Sequence, residues 1–143
     1  TDEGYRSLDF QQLERCTGNF HYLLDTFYKD TLDKSPQYWK EKLNAMSNEI
    51  LDKESARKIL EKCGLTLDYE LPIKILAILS NDNQSYTTSD INFFLGNSEP
   101  AIIDVINRDL IWLTINNFIS SVGDDNWTIN PFISEVYKHC CFN

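Results

Sequence analysis

The chain changes its hydrophobic period once, near residue 118, and that change limits the fold more than any other feature. Before it, apolar residues recur at the three-and-four spacing of helices that bury one face. After it come two β-favouring runs, Phe118-Ile119-Ser120-Ser121-Val122 and Trp127-Thr128-Ile129, joined by Gly123-Asp124-Asp125-Asn126. A short polar turn with glycine between two such runs predicts a tight hairpin. Pro131 then starts a closing helix with Phe132, Ile133, Val136 and Tyr137. A continuous helix over 110–122 is the competing reading, and the Gly-Asp-Asp turn weighs against it.

The segments before the hairpin define what it closes. Pro72 starts a helix whose apolar residues, Ile73 and Ile75 to Leu79, run almost continuously, as in an element buried on most sides. Polar Asn81 to Ser85 breaks it, Tyr86-Thr87 can form one extended bridge, and Thr88 or Ser89 is expected to cap a helix carrying Ile91, Phe93, Phe94 and Leu95. That helix stops at Gly96; Ser98 with Pro100 opens a longer one through Ala101, Ile102, Val105, Ile106, Leu110 and Ile111. Helix, short strand, helix, helix, hairpin, helix is the order of a winged helix, in which helices bury their apolar stripes on one another beside a small sheet.

The first half reads as four short helices. Ser7 opens one that stops at Gly18, Asn19 caps a second with Phe20, Leu23, Leu24, Phe27 and Tyr28, and Ser35-Pro36 starts a third with Trp39, Leu43, Met46 and Ile50. The fourth runs from about Asp52 to Cys63 and ends at Gly64. The expected fold is therefore mainly α: a small helical bundle over 1–66, then a winged-helix domain with a short β-hairpin over 67–143. The connector Leu65 to Glu70 lies near their junction.

Charge excludes the usual use of a winged helix. Residues 72–143 hold three basic residues, Lys74, Arg108 and Lys138, against eight acidic ones. The helix expected in a major groove carries Glu99, Asp104, Asn107, Arg108 and Asp109, and the wing carries Asp124 and Asp125. Duplex affinity comes mostly from Lys and Arg on phosphates, so this face repels a duplex, and double-stranded DNA is not an expected partner.

Catalysis is not expected either. No Gly-rich phosphate loop is present, and the only histidines, His21 and His139, are far apart in the chain. His21 sits on a mainly apolar helix, where partial burial is the ordinary fate. Asp124-Asp125 falls in a turn, where aspartate is favoured for its local hydrogen bonds. Cys16, Cys63, Cys140 and Cys141 form neither a disulfide framework nor a zinc pattern, so no metal site is expected. Reduced thiols, no signal peptide and no run of about 18 apolar residues predict a cytoplasmic chain without membrane contact. Thr1 in place of methionine suggests a piece of a longer protein.

The segment Leu13-Glu14-Arg15-Cys16-Thr17-Gly18-Asn19-Phe20-His21-Tyr22-Leu23-Leu24 resembles the helix, Gly-Asn-Pro turn and helix that open the small helical domain of STAND-type NTPases. These are the AAA+-related signalling proteins of the NB-ARC and NACHT kind. Leu71 to Cys140 looks like their winged-helix domain, and Trp127-Thr128-Ile129-Asn130-Pro131-Phe132 resembles the strand leading to its conserved sensor. The resemblance implies a non-catalytic regulatory fragment, the lid of a nucleotide-operated signalling switch, closing over ADP made by a preceding P-loop domain, swinging apart on exchange and hinged near Leu65 to Glu70, with ADP or ATP bound by the parent protein. By that resemblance Gly18, Asn19, Phe20 and Asn130 are the nucleotide-sensing positions. Phe20 stands where the family commonly has an adenine-contacting proline, and Asn130 where it has histidine, although an asparagine amide can still donate to a phosphate. No cofactor is expected within the fragment itself; its partners would be other domains of the parent or other proteins. The alternatives are a winged-helix adaptor of a multi-subunit complex and a nucleic-acid-binding regulator.

Overall fold

A computed structural model describes residues 9–66, 68–82, 84–96 and 101–141. The chain is mainly helical, with one two-stranded antiparallel hairpin near its C-terminus. Two compact units divide between Leu51 and Asp52.

In the unit Thr1–Leu51 the described helices are α1 (Phe10–Thr17), α2 (His21–Thr31) and α3 (Pro36–Ser47). Asp9 caps α1 by accepting from the Gln12 amide, and the expected cap Ser7 lies outside the described residues. Ser35 caps α3 by accepting from the Tyr38 amide, with Pro36 at the first helical position as expected. Leu13, Phe27, Trp39 and Leu43 form the core, flanked by Leu24, Tyr28, Tyr38 and Met46. The Trp39 indole donates to the Thr31 carbonyl at 2.5 Å, closing the last turn of α2 inside that core. Ile50, expected on the stripe of α3, lies beyond its end and is 91% exposed.

The unit Asp52–Asn143 begins with α4 (Lys53–Lys62), followed by α5 (Glu70–Ser80), α6 (Thr88–Phe94), α7 (Ala101–Ile115), β1 (Ile119–Ser121), β2 (Trp127–Ile129) and α8 (Pro131–Cys141). Helix α4, read from sequence as part of the small bundle, packs on α8 through Ala56 and Leu60 on its buried side. Its end is a six-residue closure: the Leu65 amide bonds the Leu60 carbonyl around left-handed Gly64, and Leu65 is itself buried. Leu65 therefore belongs to the packed interior of this unit, not to a joint between the two.

Helix α5 is the centre of the unit, packing on α7, α8 and β2 with Ile75, Leu76 and Leu79 fully buried. Each such side chain contributes roughly 1.5–3 kcal/mol relative to exposure. Helix α7 persists to Ile115 and then stops at left-handed Asn117, where the Phe118 amide reaches back to the Leu113 carbonyl. The hairpin pairs Ile119 with Ile129 and Ser121 with Trp127, and an isolated bridge joins Tyr86 to Trp127. The expected Ser98–Pro100 start of α7 lies outside the described residues. No helix among the described residues is long and apolar enough to cross a membrane.

Candidate functional site

The turn Thr17-Gly18-Asn19-Phe20 joins α1 to α2. Gly18 and Asn19 are both left-handed, φ 61° each. The Gly18 amide donates to the Glu14 carbonyl at 2.6 Å, and the Asn19 amide to the Thr17 hydroxyl at 3.2 Å. Asn19 is expected from sequence to cap α2. The extended residue that precedes the helix is instead Phe20, φ −72° and ψ 129°, and its ring is buried. Two consecutive left-handed residues turn the chain, and Asn19 is exposed at that corner.

Asn130 belongs to the other unit, at the junction of β2 and α8. Its backbone amide donates to the Phe118 carbonyl at 2.9 Å and its Nδ2 to the Asn117 carbonyl at 3.0 Å. Its Oδ1 accepts from the Phe132 amide at 3.0 Å, which satisfies a first-turn donor of α8. The side chain thus bolts the start of α8 to the end of α7.

Asp125 has a role that local turn chemistry did not indicate. Its carboxylate accepts from the Thr88 hydroxyl and from the Thr88 amide, tying the hairpin turn to the first turn of α6. The Trp127 indole donates to the same Thr88 hydroxyl at 3.2 Å. Thr88 is the first residue of the helix; the cap is Thr87, in a reciprocal capping box with Asp90.

The surface charge is set by short-range pairs. Lys74 meets Glu70 at 3.1 Å, Lys138 meets Glu135 at 3.7 Å and Arg108 lies 3.8 Å from Asp109. All three basic residues of 72–143 therefore have a carboxylate beside them, while Asp104 and Asp124 are exposed.

A cavity of about 360 Å³ opens between α5 and α6, lined by Ala77, Ile78, Asn81, Tyr86 and Phe94. The Tyr86 and Phe94 rings meet edge to face with centroids 5.8 Å apart, and Phe93 meets Phe94 the same way at 5.6 Å. Both phenylalanines are expected from sequence among the apolar residues of α6. Only Ile91 and Thr88 are buried there, with Phe93 77% and Phe94 58% exposed. The Tyr86 phenol donates to Asp82 at 2.6 Å, which holds the Asp82 carboxyl below its usual range and pushes Tyr86 up to about 12. Asp82 and Asp90 form no ion pair among the described residues.

A second cavity, about 310 Å³, lies between the start of α5 and the end of α7, lined by Tyr69, Pro72, Asp109 and Trp112. Tyr69 and Trp112 meet at 86°, and Trp112 stacks on buried Phe118. His21 is exposed, contrary to the expectation of partial burial, and His139 lies in the other unit. Among the described residues no three His, Cys, Asp or Glu side chains converge as metal ligands would. Compared with known protein families, curated proteins and solved structures, the chain matches none.

Proposed function

We propose that residues 67–143, within the unit Asp52–Asn143, form a winged helix that docks proteins and does not bind duplex DNA through its third helix and wing. The element order α5, bridge, α6, α7, hairpin supports the fold, as does the pairing of Tyr86 with Trp127, which sets a short first strand beside β2. One observation carries the function: each basic residue of 72–143 sits beside a carboxylate, and Asp104 on α7 and Asp124 in the hairpin turn face solvent. A helix and wing of that charge cannot release counterions from a phosphate backbone, and release is the main source of affinity for a duplex. Fluorescence anisotropy with labelled duplex DNA at low salt tests the reading. No binding is expected; tight, salt-sensitive binding overturns it.

The wider context we propose is the lid of a STAND-type switch, acting on other domains of its parent without catalysis of its own. The exposed left-handed Asn19 between two short helices favours it, being where the resemblance puts a nucleotide-facing turn. The coding sequence ahead of Thr1 tests this context. A Gly-x-x-x-x-Gly-Lys-Ser/Thr loop following a strand supports it, and further helix pairs favour the adaptor instead.

A further inference from the structure

From the α5–α6 groove we infer a docking site for a basic, apolar-anchored peptide segment, which the groove would bind as an amphipathic helix; this rests on the protein-docking reading above. The floor is apolar, from Ala77 and Ile78, and one wall is the exposed Phe94 ring, extended by Phe93. A contiguous exposed apolar patch marks an interaction site, and large side chains that fill a pocket dominate the energy of such a site.

The opposite wall is fixed before any partner arrives. Tyr86 is held by its backbone bridge to Trp127 and by its phenol hydrogen bond to Asp82, so its ring has little freedom left to lose on binding.

Charge chooses the occupant. Asp82 follows the C-terminal end of α5, where the helix dipole is negative, and Asp90 lies in the first turn of α6. Both are exposed carboxylates without an ion pair among the described residues, and Lys74, the one basic residue of α5, is matched by Glu70. The rim is therefore anionic around an apolar floor. It suits lysine or arginine flanking a bulky apolar side chain, whereas an acidic segment or an anionic lipid surface would be repelled.

The test uses the whole chain and a fluorescein-labelled amphipathic peptide of about sixteen residues, leucine on one face and lysine on the other, beside a twin with glutamate for lysine. The lysine peptide should bind at least about tenfold more tightly than its twin and weaken as salt rises from about 50 to about 300 mM. Phe94→Ser, at an exposed position, should weaken it by about tenfold or more, with folding checked by circular dichroism. Asp82→Asn with Asp90→Asn keeps both hydrogen-bond acceptors and removes the charges; it should weaken the lysine peptide by several-fold. Asp52→Asn with Glu61→Gln removes as much charge at α4 and should change little. Equal binding of the twins, no binding of either, or indifference to Phe94→Ser overturns the inference. So does a dimer, seen by sedimentation, that Phe94→Ser dissolves, because a second copy would then be the occupant. Duplex binding would defeat the docking reading itself; absence of both duplex and peptide binding would defeat the groove assignment alone.

Discussion

The Thr88 hydroxyl donates to the Asp125 carboxylate across 37 positions of sequence, so the turn of the hairpin and the first turn of α6 are held by one side-chain contact. Trp127 adds its indole to the same hydroxyl, and Tyr86 exchanges two backbone bonds with Trp127 at 2.8 and 2.9 Å. Loss of the carboxylate leaves Thr88, which is 8% exposed, with an amide and a hydroxyl short of a partner. Asp125→Ala should lower stability by about 1.5–3 kcal/mol, measured by urea denaturation. Asp125 is also left-handed, φ 55°, where alanine is strained by roughly 1 kcal/mol or more and glycine is not. Asp125→Gly should therefore be the milder of the two. Asp124→Ala, at an exposed neighbour, should stay within about 0.5 kcal/mol.

That contact also marks where reading the sequence reaches its limit. Features set by neighbouring residues were legible: the Ser35-Pro36 start of α3, the stop at Gly64 and the hairpin at 119–129. Features set by distant partners were not. Asp125 looks like an ordinary turn residue until Thr88 is beside it, and α4 looks like a fourth member of the bundle until α8 covers its apolar stripe. Phe93 and Phe94 fit a buried helix by composition alone, and only the packing of α6 through Ile91 leaves them outside. A signal was present there. Phe93, two residues past Ile91, falls away from the face that Ile91 buries, whereas Phe94, three residues past it, does not.

Tyr86 and Asp82 should make the groove wall sensitive to pH at both ends. The hydrogen bond raises the phenol to about 12 and lowers the carboxyl below its ordinary value. A raised phenol contributes stability that is complete below its unfolded value near 10 and is lost as pH climbs towards 12. A depressed carboxyl contributes stability that is present above its unfolded value and is lost as pH falls through the folded one. Tyrosine ionisation followed at 295 nm should include a late phase that belongs to Tyr86. Asp82→Asn should return that tyrosine towards 10; an unchanged titration curve would break the link between the two residues.

Cys63, half-buried after the end of α4, has its thiol pushed up to about 12 by burial. The thiolate is the reactive form, so at pH 8.5 iodoacetamide should modify Cys63 much more slowly in the folded chain than in urea. The folded thiol holds its proton longer than the unfolded one, whose value is near 8.5–9. Its share of stability is thus complete below about pH 8.5 and declines as pH rises towards 12. Cys63→Ser should flatten that part of the alkaline stability profile, because a serine hydroxyl does not ionise in this range. Mass spectrometry of timed alkylation, compared between folded and unfolded chain, gives the first readout.

Asn130 separates a packing role from a sensing one. Its Nδ2 holds the Asn117 carbonyl and its Oδ1 holds the Phe132 amide, so one amide joins the left-handed end of α7 to the start of α8. Asn130→Ala removes both contacts and should lower stability by about 1–2 kcal/mol, in line with the loss of a helix cap. Asn130→Asp keeps the acceptor for Phe132 and places a negative charge at a helix N-terminus, where it is favoured, but it turns a donor into an acceptor facing the Asn117 carbonyl. It should fall between wild type and alanine. Denaturation curves of the three proteins, each measured with and without excess ADP, distinguish the roles. If the residue serves packing, the order of stabilities is the same in both sets; a nucleotide-induced gain that disappears in both variants would instead place Asn130 in contact with a phosphate.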